Sequence, residues 1–329
     1  MTRLGSQHLL ALAALALFLV LPLLVADWVA GDLAIYFAYA LFAVSLAFAW
    51  GHVGLLSLGH AVYFGIGAYA MSVVTLGMTP GLPKLQSTWV GFAAAIFASG
   101  GAAWLLGWFF FANRGLKGAF FGIVTLALAF VFERLAINSS CLGGLNGLMS
   151  VPPINLGLNG GGLEIYDPLP LYYLMLGVLT LVLAGMMAVT ASRFGVSLSA
   201  LRENELRAWT LGHDVRRLKM RAFALSGAIA GLAGALFVTQ FGFASPSLIG
   251  FSLSADVLIW VALGGRHALI AAALGAIAVR FLESRLSSAL GASWPMAVGL
   301  FFILSVIFFP NGLFGEVIAR LDRWRGRVP

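Results

Sequence analysis

The chain has 329 residues, 61% hydrophobic and 9% charged, with a formal net charge of +7. Soluble domains carry about 25% charged residues, so this composition, with a mean hydropathy of +1.00, excludes a water-exposed globular protein. The apolar runs are continuous and not alternating, which excludes a closed β-barrel, and the single cysteine, Cys141, excludes an internal disulfide and a cysteine metal cluster.

A spanning helix needs ~20 apolar residues, at ~1.5 Å each, to cross ~30 Å of hydrocarbon. About ten runs are candidates: 9–26, 33–50, 57–77, 89–111, 119–137, 169–190, 222–241, 252–264, 268–287 and 294–310. No soluble domain remains once they are subtracted, so the chain reads as an all-α polytopic membrane protein, one transmembrane domain over 1–329. The first run follows Arg3 and precedes Leu24-Val25-Ala26, a pattern similar to a signal-peptide cleavage site. It is expected to be retained as the first span, because the body that follows is itself membrane-embedded. The eighth run is short and reads as a full span or as a re-entrant or broken helix.

No Lys, Arg, Asp or Glu occurs between Asp32 and Lys84, yet "GHVGLLSLGHAVYFGIGAYA" (Gly51 to Ala70) carries five glycines, two histidines and a serine. Such residues let helices approach closely, or let a helix unwind where freed amides face a cavity. Gly54, Ser57, Gly59, His60, Gly65, Gly67 and Tyr69 are therefore candidates for the wall of a translocation pathway, with tight packing as the alternative. Unwound N–H groups suit the carboxylate of a zwitterion without a fixed charge that would hold it too long. His52 and His60 lack acidic or cysteine neighbours and do not share a turn, so no metal site is expected.

The connector at about 138–168, "NSSCLGGLNGLMSVPPINLGLNGGGLEIYDP", is rich in Gly, Asn and Pro and long for a loop. It reads as a docking surface, an ordered lid or a flexible spacer. Further on, Glu133-Arg134, Asp256 and the Arg280-Glu283-Arg285 set fall near span ends and read as interface anchors. The small residues of "SGAIAGLAGA" (Ser226 to Ala235) read as helix packing.

The segment at about 193–221 is too rich for a bundle connection. Ser197 or Ser199 is placed to cap a helix, Glu203 and Glu205 fall in its early turns, and Gly212 is placed to end it. Leu201, Ala208 and Leu211 recur at helical spacing. A short helix of about three turns is marginal in water, so it is expected to rest in a partner's groove, where acidic side chains meet basic ones and Ala208 allows close approach. The alternative is an amphipathic helix lying on the membrane surface, where Glu203 and Glu205 would face anionic headgroups.

Charge orders the topology. Seven of the 19 basic residues (Arg193, Arg202, Arg207, Arg216, Arg217, Lys219, Arg221) lie in that connector, and Arg320, Arg323, Arg325 and Arg327 close the chain. Arg114 and Lys117 follow the fourth run, and Arg266 the eighth. With ten spans and both termini inside, each cluster falls on the cytoplasmic side. This distribution speaks for lipid headgroup contact and against a nucleic-acid partner.

Four stretches now carry a resemblance: "GLLSLGHAVYFGIGAYA", "GAFFGIVTLALAF…GGLNGL", "SRFG…ALRENELRAWTLG" followed by "KMRAFALSGAIAGLAGALF", and "VALGG…LGA…FFPNGLFG". In this order, over almost the whole chain, they resemble the permease subunits of ABC importers for branched-chain amino acids. That resemblance implies a coupling helix between spans six and seven held in an ATPase cleft. Arg202, Glu203, Asn204, Glu205, Ala208 and Gly212 match its core, and Arg207 departs from the small residue usual there. It also implies two ATPase subunits, a second related permease, a periplasmic substrate-binding protein and residence in a bacterial inner membrane.

No G-x-x-x-x-G-K-[ST] phosphate loop occurs in the sequence, and no convergent acid–base or nucleophile set is visible. The chain therefore reads as a non-enzyme without cofactor, fuelled by another polypeptide. "IWVALGGR" is similar to the urea and short-amide branch of the same family, which leaves that cargo as the alternative. An ion-coupled secondary transporter commonly needs carboxylates at the bilayer midplane, whereas here almost every acid maps to a connector or a span end.

Overall fold

The computed structural model describes residues 5–78, 87–112, 116, 118–157, 164–293, 296, 299–300, 303, 307–309 and 311–324. The tenth predicted run, 294–310, lies for the most part outside the described residues, as do Arg3, Lys84, Arg114, Lys117, Arg325 and Arg327.

Among the described residues, six helices are long and apolar enough to cross a membrane: Ser6–Leu23, Asp27–Val53, Thr88–Phe110, Gly118–Asn138, Pro168–Ala191 and Val215–Phe241. In chain order the elements are α1 (Ser6–Val20), α2 (Asp27–Ala47), α3 (Ala61–Thr75), α4 (Thr88–Phe110), α5 (Gly118–Asn138) and α6 (Pro168–Ala191). They continue with α7 (Arg193–Glu203), α8 (Glu205–Thr210), α9 (Val215–Phe241), α10 (Phe251–Gly264), α11 (Leu269–Leu290) and α12 (Leu313–Trp324). The eighth run is one continuous helix of 14 residues, α10, too short to span alone. It and the ninth run, α11, form a pair bent by 117° at the break between them, a broken span or a re-entrant loop. The third run gives a helix of 15 residues that begins at Ala61, four residues later than its apolar run.

Contacts divide the chain into two interleaved units. The first comprises Met1–Ala47, Pro168–Met187 and Val257–Pro329. Here α2 packs along α11, and Tyr172 donates its hydroxyl to the Phe18 carbonyl at 2.7 Å. Arg280 and Glu283, expected as interface anchors, form an ion pair at 2.6 Å with the guanidinium 4.6 Å from the Tyr39 ring centroid. The late glycines make a corner: a Cβ on Gly275 would meet the backbone of Gly264, and one on Gly312 would sit 2.5 Å from the Gly265 nitrogen.

The second unit comprises Phe48–Asp167 and Ala188–Asp256. At its centre α3 and α9 run parallel, with α4 antiparallel to both. Glycines set the spacing. A side chain on Gly67 would collide with the Gly231 backbone, one on Gly234 with the Phe64 carbonyl, and one on Gly231 with the Ser99 side chain. Ser99 in turn donates to the Tyr63 carbonyl at 2.9 Å. The "SGAIAGLAGA" segment is thus a packing surface within this chain.

The long connector is ordered against the same unit over its described part. Leu148–Met149 pairs with Phe243–Ala244 as a two-residue antiparallel ladder, Val151 donates to the Gly242 carbonyl at 3.0 Å, and the Asn155 N–H to Thr88 Oγ1 at 3.1 Å. The end of α9 and the start of α4 therefore share a face with this connector. The start of α9 and the end of α4 share the opposite face with α7 and α8. Beneath that second face, Phe110, Phe111, Phe121 and Phe223 form a cluster with centroids 5.6–6.4 Å apart, edge to face except for the stacked pair Phe111–Phe121.

This packing separates two kinds of glycine. Gly231→Leu is expected to destabilise the detergent-solubilised protein by about 1–3 kcal/mol through overpacking, read as a lower thermal unfolding midpoint. Gly101→Ala, whose Cβ meets nothing within 4 Å, is expected to leave that midpoint unchanged or to raise it.

Candidate functional site

The site begins where α2 fails to end cleanly. Its last turn widens into a π-turn over Phe48–Val53, and Gly54 then takes φ +81°, a left-handed conformation that costs glycine little. Residues 55–57 have no regular structure, and 58–60 turn into α3. Irregular backbone at membrane depth survives only where other groups take up its hydrogen bonds. Here Leu55 N–H donates to the Ala49 carbonyl at 2.9 Å, Leu58 N–H to Thr125 Oγ1 at 3.0 Å, and Ala61 N–H to Ser254 Oγ at 3.0 Å.

The residues selected from the sequence separate into groups. Gly59, Gly65 and Gly67 permit close approach: side chains there would strike the Thr125 carbonyl, Ile249 and the Gly231 backbone respectively. Ser57, His60 and Tyr69 are buried. His60 Nε2 lies 3.3 Å from Ser226 Oγ, whereas the hydroxyls of Ser57 and Tyr69 have no hydrogen-bond partner among the described residues. Gln240, at the end of α9, likewise has both amide atoms buried without a partner. Sequence reasoning missed it, because one amide in the last turn of an apolar helix is unremarkable by periodicity. An unsatisfied buried polar group costs about 1–3 kcal/mol, so three such groups mark places where water or solute is the natural partner.

The charged connector differs from its sequence expectation. It is not one helix capped by Ser197 or Ser199. Ser192 caps α7, accepting from the Gly195 N–H at 3.5 Å, and the helix stops at Glu203. Asn204 is extended (φ −154°, ψ 102°) and its side chain accepts the Arg207 N–H at 2.9 Å, opening α8. Capping by Asn therefore outcompetes helix continuation, and it breaks the expected Leu201–Ala208–Leu211 stripe. Leu198, Leu201 and Ala208 are buried against the chain itself, while Leu206, Trp209 and Leu211 are 70%, 66% and 71% exposed. Gly212 takes φ +86°, as its place after the helix predicts.

Electrostatics fixes this pair of short helices to the unit. Glu205 pairs at 3.0 Å with Lys219, whose side chain is 8% exposed, while Glu203 stays exposed. The Lys219 ammonium also sits 5.6 Å from the Phe111 ring centroid. From α7, the Arg202 guanidinium donates to the Gly51 carbonyl in the π-turn. The stem of the same side chain lies against Gly54, where a Cβ would come within 3.2 Å of Arg202 Cγ. The connector and the broken stretch selected from sequence are thus in direct contact.

A bundle of apolar helices, one of them broken where it meets a charged connector that presents apolar side chains outward, is the architecture of a membrane permease component. The chain belongs to the branched-chain amino acid transport system permease component family, whose model matches residues 30–309. It is 31% identical to the high-affinity branched-chain amino acid transport system permease protein LivM of Escherichia coli K12, over 94% of this chain and 75% of that protein. The corresponding protein BraD of Pseudomonas aeruginosa is 24% identical over 84% of this chain and 92% of its own length. The autoinducer 2 import system permease protein LsrC of Escherichia coli O157:H7 is 33% identical over 46% of each chain. No solved structure matches.

Removing one partner of the Glu205–Lys219 pair leaves a buried charge. Glu205→Gln is expected to lower stability by about 1–3 kcal/mol, seen as faster hydrogen exchange across residues 205–210. Adding Lys219→Met should recover much of that loss, because an apolar replacement removes the stranded ammonium.

Proposed function

We propose that the chain is the membrane-spanning subunit of an ATP-driven ABC importer of branched-chain amino acids in a bacterial inner membrane, with both termini cytoplasmic. The whole chain acts as one permease domain. It pairs with a second, related permease above two ATPase subunits, and a periplasmic binding protein delivers the solute. The observation that carries this reading is the contact of Arg202 with Gly51 and Gly54, because it joins a face built for a partner to the break in the spanning helices. The absence of any phosphate loop from the sequence supports an external motor. The basic connector supports the orientation. LivM and BraD, each matched over most of this chain, are permease proteins of branched-chain amino acid systems, which supports the cargo.

In this mechanism Leu206, Trp209 and Leu211 enter the ATPase cleft, with Glu203 beside a basic group there. Movement of the cleft is transmitted by α7 through Arg202 to the π-turn. The stretch from Gly54 to His60 then shifts relative to α5. Gly59, Gly65 and Gly67 keep α3 close to its neighbours, and Ser57 and Tyr69, with Gln240, offer the solute its polar contacts. No fixed carboxylate is required at the pathway. The buried acid of the first unit, Glu283, is already neutralised by Arg280, which speaks against a proton-coupled carrier.

The test is uptake of labelled leucine into proteoliposomes holding the co-purified subunits, with binding protein outside and ATP inside. Leu206→Glu with Trp209→Glu is expected to reduce ATP-driven uptake about 30-fold or more, as loss of an interface anchor does, while helicity and monodispersity hold. Uptake sustained by a proton gradient without ATP, and untouched by the double variant, overturns the reading.

A further inference from the structure

The first unit contains a cavity of about 240 Å³ between the first turns of α2 and the last turns of α11. Its walls carry charges of opposite sign, Asp32 from α2 and Arg285 from α11. The two are not bonded to each other, and the ion pair of α11 is formed by Arg280 and Glu283 instead. Arg285 is held in place by aromatic faces. Its guanidinium carbon lies 5.7 Å from the Trp28 ring centroid and 5.1 Å from that of Phe281, a cation–π arrangement. Leu33 completes an apolar wall, and Ser284 adds a hydroxyl.

We propose that this cavity is a binding site for a free α-amino acid zwitterion with an apolar side chain. The planar guanidinium fork matches a carboxylate, and Asp32 accepts from the α-ammonium. The side chain lies along Trp28 and Leu33. The volume of about 240 Å³ accommodates one small amino acid. Two lining groups of opposite sign that do not pair with each other are both satisfied by a molecule that bears both signs, so acids and amines lacking the second charge leave one of them unpaired. The choice of an amino acid rests on the import reading above. A phosphatidylethanolamine headgroup carries the same two charges, and the experiment separates it.

The complete complex is placed in nanodiscs of phosphatidylcholine and phosphatidylglycerol, without binding protein or ATP, and labelled leucine is measured by equilibrium dialysis. Leucine is expected to bind saturably, and 4-methylpentanoate and isoamylamine to compete about 10- to 100-fold more weakly, the loss of one charge-assisted contact. Asp32→Asn should weaken leucine by a similar factor and abolish the preference over 4-methylpentanoate. Arg285→Gln should do the same for isoamylamine. Arg285→Lys keeps the charge without the fork and is expected to fall between, which guards against loss of fold in the glutamine variant. Absence of saturable leucine binding, or unchanged discrimination in the variants, overturns the proposal. So does native mass spectrometry showing phosphatidylethanolamine held by the wild type and released by both variants while leucine binding stays unchanged. A wild-type complex that binds leucine but fails to import it with ATP counts against the import reading and leaves this site standing.

Discussion

The structure depends on how one buried carbonyl is satisfied. When α2 widens into the π-turn and the chain stops being helical, backbone groups lose their partners in a medium that has no water to replace them. Gly51 solves this with a charged donor brought from another part of the sequence. A guanidinium bond to a carbonyl is stronger than a neutral one and gains further where the dielectric is low. The broken stretch is therefore not a loosely tolerated defect. It is anchored at one end by Arg202 and at the other by hydroxyls of Thr125 and Ser254.

What surrounds this anchor is stiff. Three helices of the second unit meet through glycines whose hydrogens already touch neighbouring backbone, so they have little room to slide. Below them, four phenylalanine rings pack together under the short helices, and Lys219 ties the aromatic layer to Glu205. A displacement applied to α7 and α8 has few soft elements in which to dissipate. The irregular residues between Gly54 and His60 are the nearest element able to change conformation at low cost. Stiff packing beside one compliant stretch gives the arrangement its mechanical sense.

Much of this was readable in the residues. Apolar run length located α4, α5 and α6 to within one position at each end, because a spanning helix has few alternatives in lipid, whereas α9 begins at Val215, seven residues ahead of its run and inside the charged connector. Gly212 announced its own left-handed turn. The connector was harder. Its helical periodicity concealed a break at Asn204, since a side chain that can cap a new helix looks the same in sequence whether or not it does so. The faces were consequently exchanged: Ala208 turns inward, and Leu206, Trp209 and Leu211 point out. The glycines raised a second ambiguity. Gly59, Gly65 and Gly67 show the same letter as Gly54, yet three are needed for contact and one for a turn, and only neighbours distant in sequence tell them apart. Ser57, Tyr69 and Gln240 became distinctive once their lack of partners could be seen.

The outward placement of Leu206, Trp209 and Leu211 has a consequence for biosynthesis. If these side chains seat in an ATPase subunit as proposed, a newly inserted copy that has not met that partner leaves a tryptophan and two leucines uncovered, on and just after a helix of six residues. Such a patch invites self-association and recognition by quality-control proteases. Surplus subunit should therefore be short-lived, and the cell is constrained to make this chain in step with whatever covers that patch.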